Sequence, residues 1–215
     1  MKDYQKRAPE EYNTFRTIIQ WIACNVIYGP YFRFVSNLKV EGRENVPKDG
    51  MLIVASNHVS AIDPFIVIHA VRRPAAYMAK VELFEKWIMR LFLDLLGAFA
   101  VDRTKLSVST IKTVLGLKKT KWCLGIFPQG TRERDDNMEH INKGFASFAK
   151  TLKCDILPVA ILGASKNDRK LTKRNMKVKI GKPIPYNNNI DEMIKVWSKK
   201  ITDMLEGKED ECKES

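Results

Sequence analysis

The chain alternates short, uninterrupted apolar runs with stretches of helical period. Met51-Leu52-Ile53-Val54-Ala55 and Trp122-Cys123-Leu124-Gly125-Ile126-Phe127 carry no polar alternation, and runs of this length flanked by turn residues read as strands buried on both faces. Residues 75–79, 97–101, 155–162 and 176–180 read as further strands. Residues 37–42 alternate as a strand entering the domain, ahead of the turn Pro47-Lys48-Asp49-Gly50. Helical spacing covers residues 64–71, 81–96, 107–119, 142–152 and 191–205. This pattern predicts an α/β fold with a mixed central sheet flanked by helices.

Two segments stand apart. In residues 81–96 the polar side chains Glu82, Glu85, Lys86, Arg90 and Asp94 recur every three or four positions and leave a wide apolar face of Leu83, Phe84, Trp87, Ile88, Leu91, Phe92 and Leu95. A helix with so wide a face is expected to bury more than one side. Residues 17–32 hold no charge, yet a helix of that length reaches only about 24 Å, short of the roughly 30 Å hydrocarbon layer. Phe15, Ile18, Ile19, Ile22 and Val26 share a stripe beside Trp21, and Gly29-Pro30 leads into Tyr31-Phe32-Arg33-Phe34. The expectation is an N-terminal amphipathic helical hairpin lying in a membrane interface; an ordinary core helix is the plainer alternative. Three parts follow: the hairpin at 1–36, a domain at 37–206 and a polar tail at 207–215.

At 215 residues the domain can bury a substantial core. The formal charge of +12 implies anionic partners, and lipid surfaces, carrier proteins, coenzyme A and nucleic acid all answer to that description. Cys24, Cys123, Cys154 and Cys212 are too far apart for a metal-ligand pair and read as reduced, mostly buried thiols of a cytosolic protein. No signal peptide is expected after Met1-Lys2-Asp3-Tyr4-Gln5-Lys6-Arg7, because Pro9-Glu10-Glu11 follows in place of an apolar core. The loop 165–174 sets five positive side chains against Asp168, enough for a membrane or carrier-protein contact but not specific to either.

The chemistry centres on Ser56-Asn57-His58-Val59-Ser60-Ala61-Ile62-Asp63-Pro64. On an unbroken helix His58 and Asp63 would lie about 140° apart, so they must meet across a loop, with Asp63 as helix cap and Pro64 as first helical residue. An imidazole oriented by a carboxylate at the C-terminal end of a strand is a general base at the rim where α/β sheets bind ligands. The nucleophile can then be the substrate's own hydroxyl. Downstream, Pro128-Gln129-Gly130-Thr131-Arg132 forms a donor-rich turn suited to phosphate. His69 sits in a helix without a carboxylate or cysteine nearby and is given no role.

Asn57-His58-x4-Asp63 followed by Phe127-Pro128-Gln129-Gly130-Thr131-Arg132 resembles the NHxxxxD and FPEGTR boxes of the glycerolipid acyltransferases, above all the bacterial 1-acyl-glycerol-3-phosphate acyltransferases. Ala79-Lys80-x-Glu82-Leu83-Phe84, the stretch Gly97 to Arg103, Lys143-Gly144-Phe145-Ala146 and Leu157-Pro158-Val159-Ala160-Ile161 fit the same pattern across residues 38–185. The resemblance implies transfer of an acyl group from a thioester of acyl carrier protein or coenzyme A to the sn-2 hydroxyl of lysophosphatidic acid, giving phosphatidic acid for phospholipid biosynthesis. It implies His58 and Asp63 as the catalytic pair. Arg103, Gly130, Thr131 and Arg132 would bind the acceptor's phosphate, and Asn57, Lys80 and Gln129 would position the site. The helix at 81–96 would then line a groove for the acyl chain or simply pack in the core. Gln129 departs from the usual glutamate and is read as a positioning residue.

No metal or other cofactor is implied. Membrane lipids and the thioester carrier are the expected partners, nucleic acid is not, and the expected place is the cytoplasmic face of the cell membrane, peripheral or monotopic. Two alternatives stay open: an acceptor such as glycerol-3-phosphate or another lysolipid, and a non-catalytic basic protein that binds lipid or nucleic acid.

Overall fold

The structure is a computed structural model that describes residues 4–102, 107–130, 141–163 and 175–208. The apolar runs become strands β1 (Lys39–Glu41), β2 (Ile53–Ser56), β3 (Ala75–Lys80), β4 (Phe99–Val101), β5 (Cys123–Ile126), β6 (Ile156–Leu162) and β7 (Lys177–Ile180). Among the described residues they form one sheet in the order β1-β7-β6-β2-β5-β3-β4. Neighbours are parallel except β6 and β7, which run antiparallel. The mixed sheet is therefore as the pattern predicts. Its centre is β2, where Ile53 lies opposite Leu124 on one side and Ile156 on the other.

Helices α1 (Thr14–Ile22), α2 (Tyr28–Pro30), α3 (Asp63–Val71), α4 (Trp87–Leu95), α5 (Val108–Leu117), α6 (Gly144–Leu152) and α7 (Ile190–Glu206) accompany the sheet. Because side chains alternate along a strand, β2 feeds two cores. Ile53 and Ala55 join Leu117, Trp122, Phe145 and Trp197 on the face covered by α5, α6 and α7. Leu52 and Val54 join Ile66, Val67, Cys24 and Phe32 on the face covered by α3 and the N-terminal segment. The buried indole of Trp197 donates to the Ala55 carbonyl at 3.1 Å, tying α7 to the central strand. Cys24, Cys123 and Cys154 are free thiols, and burial pushes them up to about 12, 11 and 12, as expected of inert core cysteines. Cys212 lies outside the described residues.

The N-terminal helical hairpin is present. Its arms are α1 and the run from α2 through the π-turn Tyr31–Val35, joined by a second π-turn at Ala23–Ile27. Gly29-Pro30 therefore sits within the helical turn α2, and the break comes from the widened turns on either side. Phe15, Ile18, Trp21 and Val26 are exposed, while Gln20, Cys24 and Phe32 are buried. Gln20 holds the segment to the domain: its amide donates to the Ala75 carbonyl at 2.9 Å and the Leu96 carbonyl at 2.7 Å, and its oxygen accepts from Ala75 N–H at 3.0 Å. Upstream, Arg7 is buried against the Ala98 carbonyl at 2.9 Å and Asp94 Oδ1 at 2.7 Å. Arg16 of α1 pairs with Asp94 Oδ2 at 3.1 Å. Among the described residues no helix is long and apolar enough to cross a membrane.

For residues 81–96 the expectation of core packing is overturned, while the groove-lining alternative fits, since Leu83, Met89, Phe92 and Leu93 border a cavity. The stretch splits into a 3-10 turn, Val81–Phe84, and α4, and no residue of α4 is buried. The wide apolar face does not pack into the sheet's cores: α4 sits at the rim, tied by its C-terminal Asp94 to Arg7 and Arg16, and leaves Trp87, Ile88 and Leu91 facing outward.

Gly125, in the middle of β5, is required by packing. A Cβ there would come within 2.5 Å of the Tyr77 ring, which lies across the strand. Gly125→Ala should cost about 1–3 kcal/mol as an overpacked core site, a drop of roughly 2–12 °C in melting temperature. Thermal unfolding followed by circular dichroism checks this, and an unchanged midpoint would mean that Tyr77 has room to withdraw.

Candidate active site

β2 ends at Ser56 and delivers the loop that follows to the C-terminal rim of the sheet. Asn57 anchors that loop. Its amide nitrogen donates to the Ile161 carbonyl at 2.9 Å and its oxygen accepts from Ile161 N–H at 2.8 Å, so the side chain reproduces a strand pairing with β6 just where the main chain of β2 leaves the ladder. The next residue, His58, turns its Nδ1 to Asp63 Oδ2 at 2.8 Å. The predicted meeting across a loop is thus present.

The same carboxylate oxygen accepts from Val59 N–H and Ser60 N–H, each at 2.7 Å, and Asp63 is wholly buried. The structure corrects the reading of Asp63 as helix cap. Ile62 occupies the cap position, Asp63 is the first residue of α3, and its carboxylate reaches back into the loop and not forward to the helix amides. Pro64 stands at the helix start as expected. With Nδ1–H given to Asp63, His58 carries its lone pair on Nε2, and the ring borders a cavity.

The turn after β5 closes over this pair. Phe127 stacks on the His58 ring with centroids 4.0 Å apart and planes 16° apart, and Tyr77 stacks on Phe127 at 5.2 Å. The Phe127 carbonyl accepts from Gly130 N–H at 2.9 Å, a tight turn with Pro128 at its first corner and Gly130 at φ +72°. Gln129 is buried and its Oε1 accepts the His58 main-chain N–H at 2.7 Å. A carboxylate at this position could accept the same bond, which gives the replaced glutamate a physical equivalent.

The cavity has a volume of about 620 Å³ and a mainly apolar lining that includes Tyr28, Phe65, Ile68, Met78, Phe92 and Leu93, with Lys80 and Gly130 beside His58. Lys80 lies at the exposed end of β3, opposite Val101 of β4. Arg103, Thr131 and Arg132 lie outside the described residues. Among the described residues no three His, Cys, Asp or Glu side chains converge as a metal-ligand group. His69 is remote from this chemistry: its Nδ1 meets Asn25 Oδ1 at 2.9 Å, and burial with Arg43 and Arg72 nearby holds it below the usual histidine range.

Several contacts carry no sequence signal, although Phe127 itself opens the downstream box. Tyr77 and Phe127 become a ring stack only because Gly125 leaves space between strands, and Gln20 reads in sequence as a weak point in an apolar run. Gln20, Cys24 and Tyr28 all border the cavity, so the N-terminal segment forms part of its wall.

Fold and site together define an α/β enzyme in which a carboxylate-held histidine borders a large, mainly apolar cavity. The Acyltransferase family model matches residues 37–162, and the chain belongs to the acyltransferase family. It is 36% identical over 149 residues to the 1-acyl-sn-glycerol-3-phosphate acyltransferase of Bacillus subtilis, a match covering 68% of this chain and 73% of that protein. The enzymes of the same name from Borreliella burgdorferi and Streptococcus pneumoniae are 32% and 30% identical, over 57% and 69% of this chain and 50% and 56% of their own lengths. The fold matches the crystal structure of the 1-acyl-sn-glycerophosphate acyltransferase from Thermotoga maritima with a TM-score of 0.73 at 23% identity, over 93% of this chain and 83% of that one.

Two substitutions test the geometry. Asp63→Asn would leave an amide oxygen for the Val59 and Ser60 N–H groups and for Nδ1 but remove the negative charge that stabilises the transient imidazolium, and kcat should fall about 10²–10⁴-fold. Gln129→Glu should keep activity within about threefold, less than the worth of one hydrogen bond. Steady-state kinetics on both purified variants checks this; a full-rate Asp63→Asn enzyme would remove the dyad from the mechanism.

Proposed function

We propose that the protein transfers a fatty acyl group from a thioester of acyl carrier protein or coenzyme A to the sn-2 hydroxyl of 1-acyl-glycerol-3-phosphate, giving phosphatidic acid. The observation that carries this reading is the His58–Asp63 pair, 2.8 Å apart, with the His58 ring bordering the apolar cavity. His58 Nε2 takes the proton of the acceptor hydroxyl as its oxygen attacks the thioester carbonyl. The tetrahedral intermediate expels the thiolate, which recovers that proton from the imidazolium. Asp63 fixes the tautomer and stabilises the transient positive ring.

Asn57 and Gln129 hold the loop that presents His58. Arg103, Gly130, Thr131 and Arg132 are the proposed phosphate ligands, and Lys80 is a proposed positioning residue. The names of the similar proteins support lysophosphatidic acid as acceptor. In this reading residues 1–36 are the interfacial hairpin and 37–206 the acyltransferase domain, and the enzyme works at the cytoplasmic face of the cell membrane as a peripheral or monotopic protein.

The purified enzyme should acylate lysophosphatidic acid in preference to glycerol-3-phosphate and to lysolipids lacking a terminal phosphate, assayed with labelled acyl thioesters of both carriers. Preference for glycerol-3-phosphate would move the acceptor one step earlier in glycerolipid assembly. His58→Ala should lose about 10²–10⁴ in rate with the fold intact.

Arg132→Ala should raise KM for the phosphorylated acceptor about 10- to 150-fold, the worth of a charge-assisted contact, with little change for the donor. A rise confined to the donor KM would assign the turn to the thioester carrier.

A further inference from the structure

Among the described residues nothing covers the outer apolar row of α4. Trp87, Ile88 and Leu91 are 67%, 65% and 53% exposed, on a helix with no buried residue. Contiguous apolar surface of this kind marks an interaction site. The opposite flank of the same segment, Leu83, Met89, Phe92 and Leu93, lines the cavity. A short helix thus separates the cavity from the outside with apolar side chains on both sides.

Its neighbour is α1, whose Phe15, Ile18 and Trp21 are also exposed. The two helices touch. Asp94 near the end of α4 is held by Arg7 at 2.7 Å and by Arg16 of α1 at 3.1 Å, so its charge is met within the protein and the two apolar surfaces are fixed side by side. Lys86 and Arg90 flank the exposed row, with Arg90 lying over the Tyr4 ring at 5.5 Å.

We propose that α4 is a second membrane-inserting element: Trp87, Ile88 and Leu91 enter the bilayer beside Trp21 of α1, and the cavity opens between the two helices into the lipid. The occupant is a bilayer carrying anionic lipid and not a second copy of the chain. A net charge of +12 opposes self-association and draws the protein to an anionic surface, and tryptophan with flanking lysine and arginine is the side-chain set that settles at a membrane interface. Leu83, Phe92 and Leu93 of this segment and Gln20 and Cys24 of the N-terminal one border the same cavity, so an opening between the two would give a bilayer lipid a way in without passing through water. This rests on the reading of the substrate as a membrane lipid.

The four tryptophans make the test specific, because Trp122 and Trp197 are buried in the core whereas Trp21 and Trp87 lie on α1 and α4. In full-length Trp21→Phe, fluorescence from the remaining exposed tryptophan reports on α4; in Trp87→Phe it reports on α1. With vesicles containing anionic phospholipid brominated on the upper acyl chain, Trp21→Phe should show a blue shift and quenching comparable to Trp87→Phe. Ile88→Gln with Leu91→Gln, at positions outside the cavity lining, should weaken vesicle partitioning about 10²- to 10⁴-fold, as expected for losing two buried aliphatic side chains, while leaving turnover of a short-chain, water-soluble lysophosphatidic acid unchanged.

Quenching of Trp21 without quenching of Trp87 would overturn the proposal. So would a blue shift of Trp87 that grows with protein concentration in the absence of lipid and tracks a dimer in sedimentation, since a second copy would then cover the helix. If quenching occurs as expected but no lysolipid is acylated, the membrane face stands and the assignment of substrate falls.

Discussion

The Asp63 carboxylate is buried without any solvent contact, and it is tolerated there because Oδ2 collects the Val59 and Ser60 amides and the His58 ring. A carboxylate buried without partners would cost several kcal/mol, whereas each charge-assisted bond returns about 1.5–3 kcal/mol. The bonds that make the charge tolerable also set the path of the loop from β2 to α3 and the orientation of the imidazole. Loop shape, helix start and tautomer are therefore one constraint. The surrounding contacts extend it: Asn57 fastens the loop to β6, and Gln129 fastens it to the turn after β5.

The sheet supplies the precision and the helices supply the access. β2 is buried on both faces between β5 and β6, so its C-terminal end has little freedom, and parallel neighbours on both sides bring their own ends to the same rim. The ring stack from His58 through Phe127 to Tyr77 carries that rigidity from β5 and β3 into the imidazole itself. On the other side of the site the N-terminal segment and α4 form a wall with apolar residues facing both inward and outward. The Asp94 pairs lock these two helices together where no core packing does so.

Most of this architecture is legible in the sequence, for physical reasons that also explain what is not. Residues 51–55 and 122–127 can be placed because only doubly buried strands tolerate unbroken apolar runs, and His58 with Asp63 can be paired because a spacing of five excludes one helical face. Asp63 as a cap is a misreading that local rules invite: Asp before Pro is a good cap, and nothing in the sequence says that its carboxylate folds back onto Val59 and Ser60. The misreading of α4 has a deeper cause. An amphipathic period states that one face avoids water, and it cannot say whether protein or lipid receives that face. Arg7, Gln20 and Gly125 are silent in sequence because their partners, Asp94, Leu96 and Tyr77, are set by tertiary structure alone.

Asn57 has a consequence for how the site can be watched. Ile161 N–H, near the C-terminal end of the buried strand β6, is held by a side chain of the loop that carries His58 and not by a backbone carbonyl. Amide protons in β6 that belong to the ladder exchange with solvent deuterium only when the sheet opens, whereas this one is released whenever the loop lifts Asn57 away. Its exchange rate is therefore a clock for the loop that carries His58, readable in a protein whose sheet stays closed. Any ligand that steadies the loop would slow that one amide while its neighbours in the strand keep their own time.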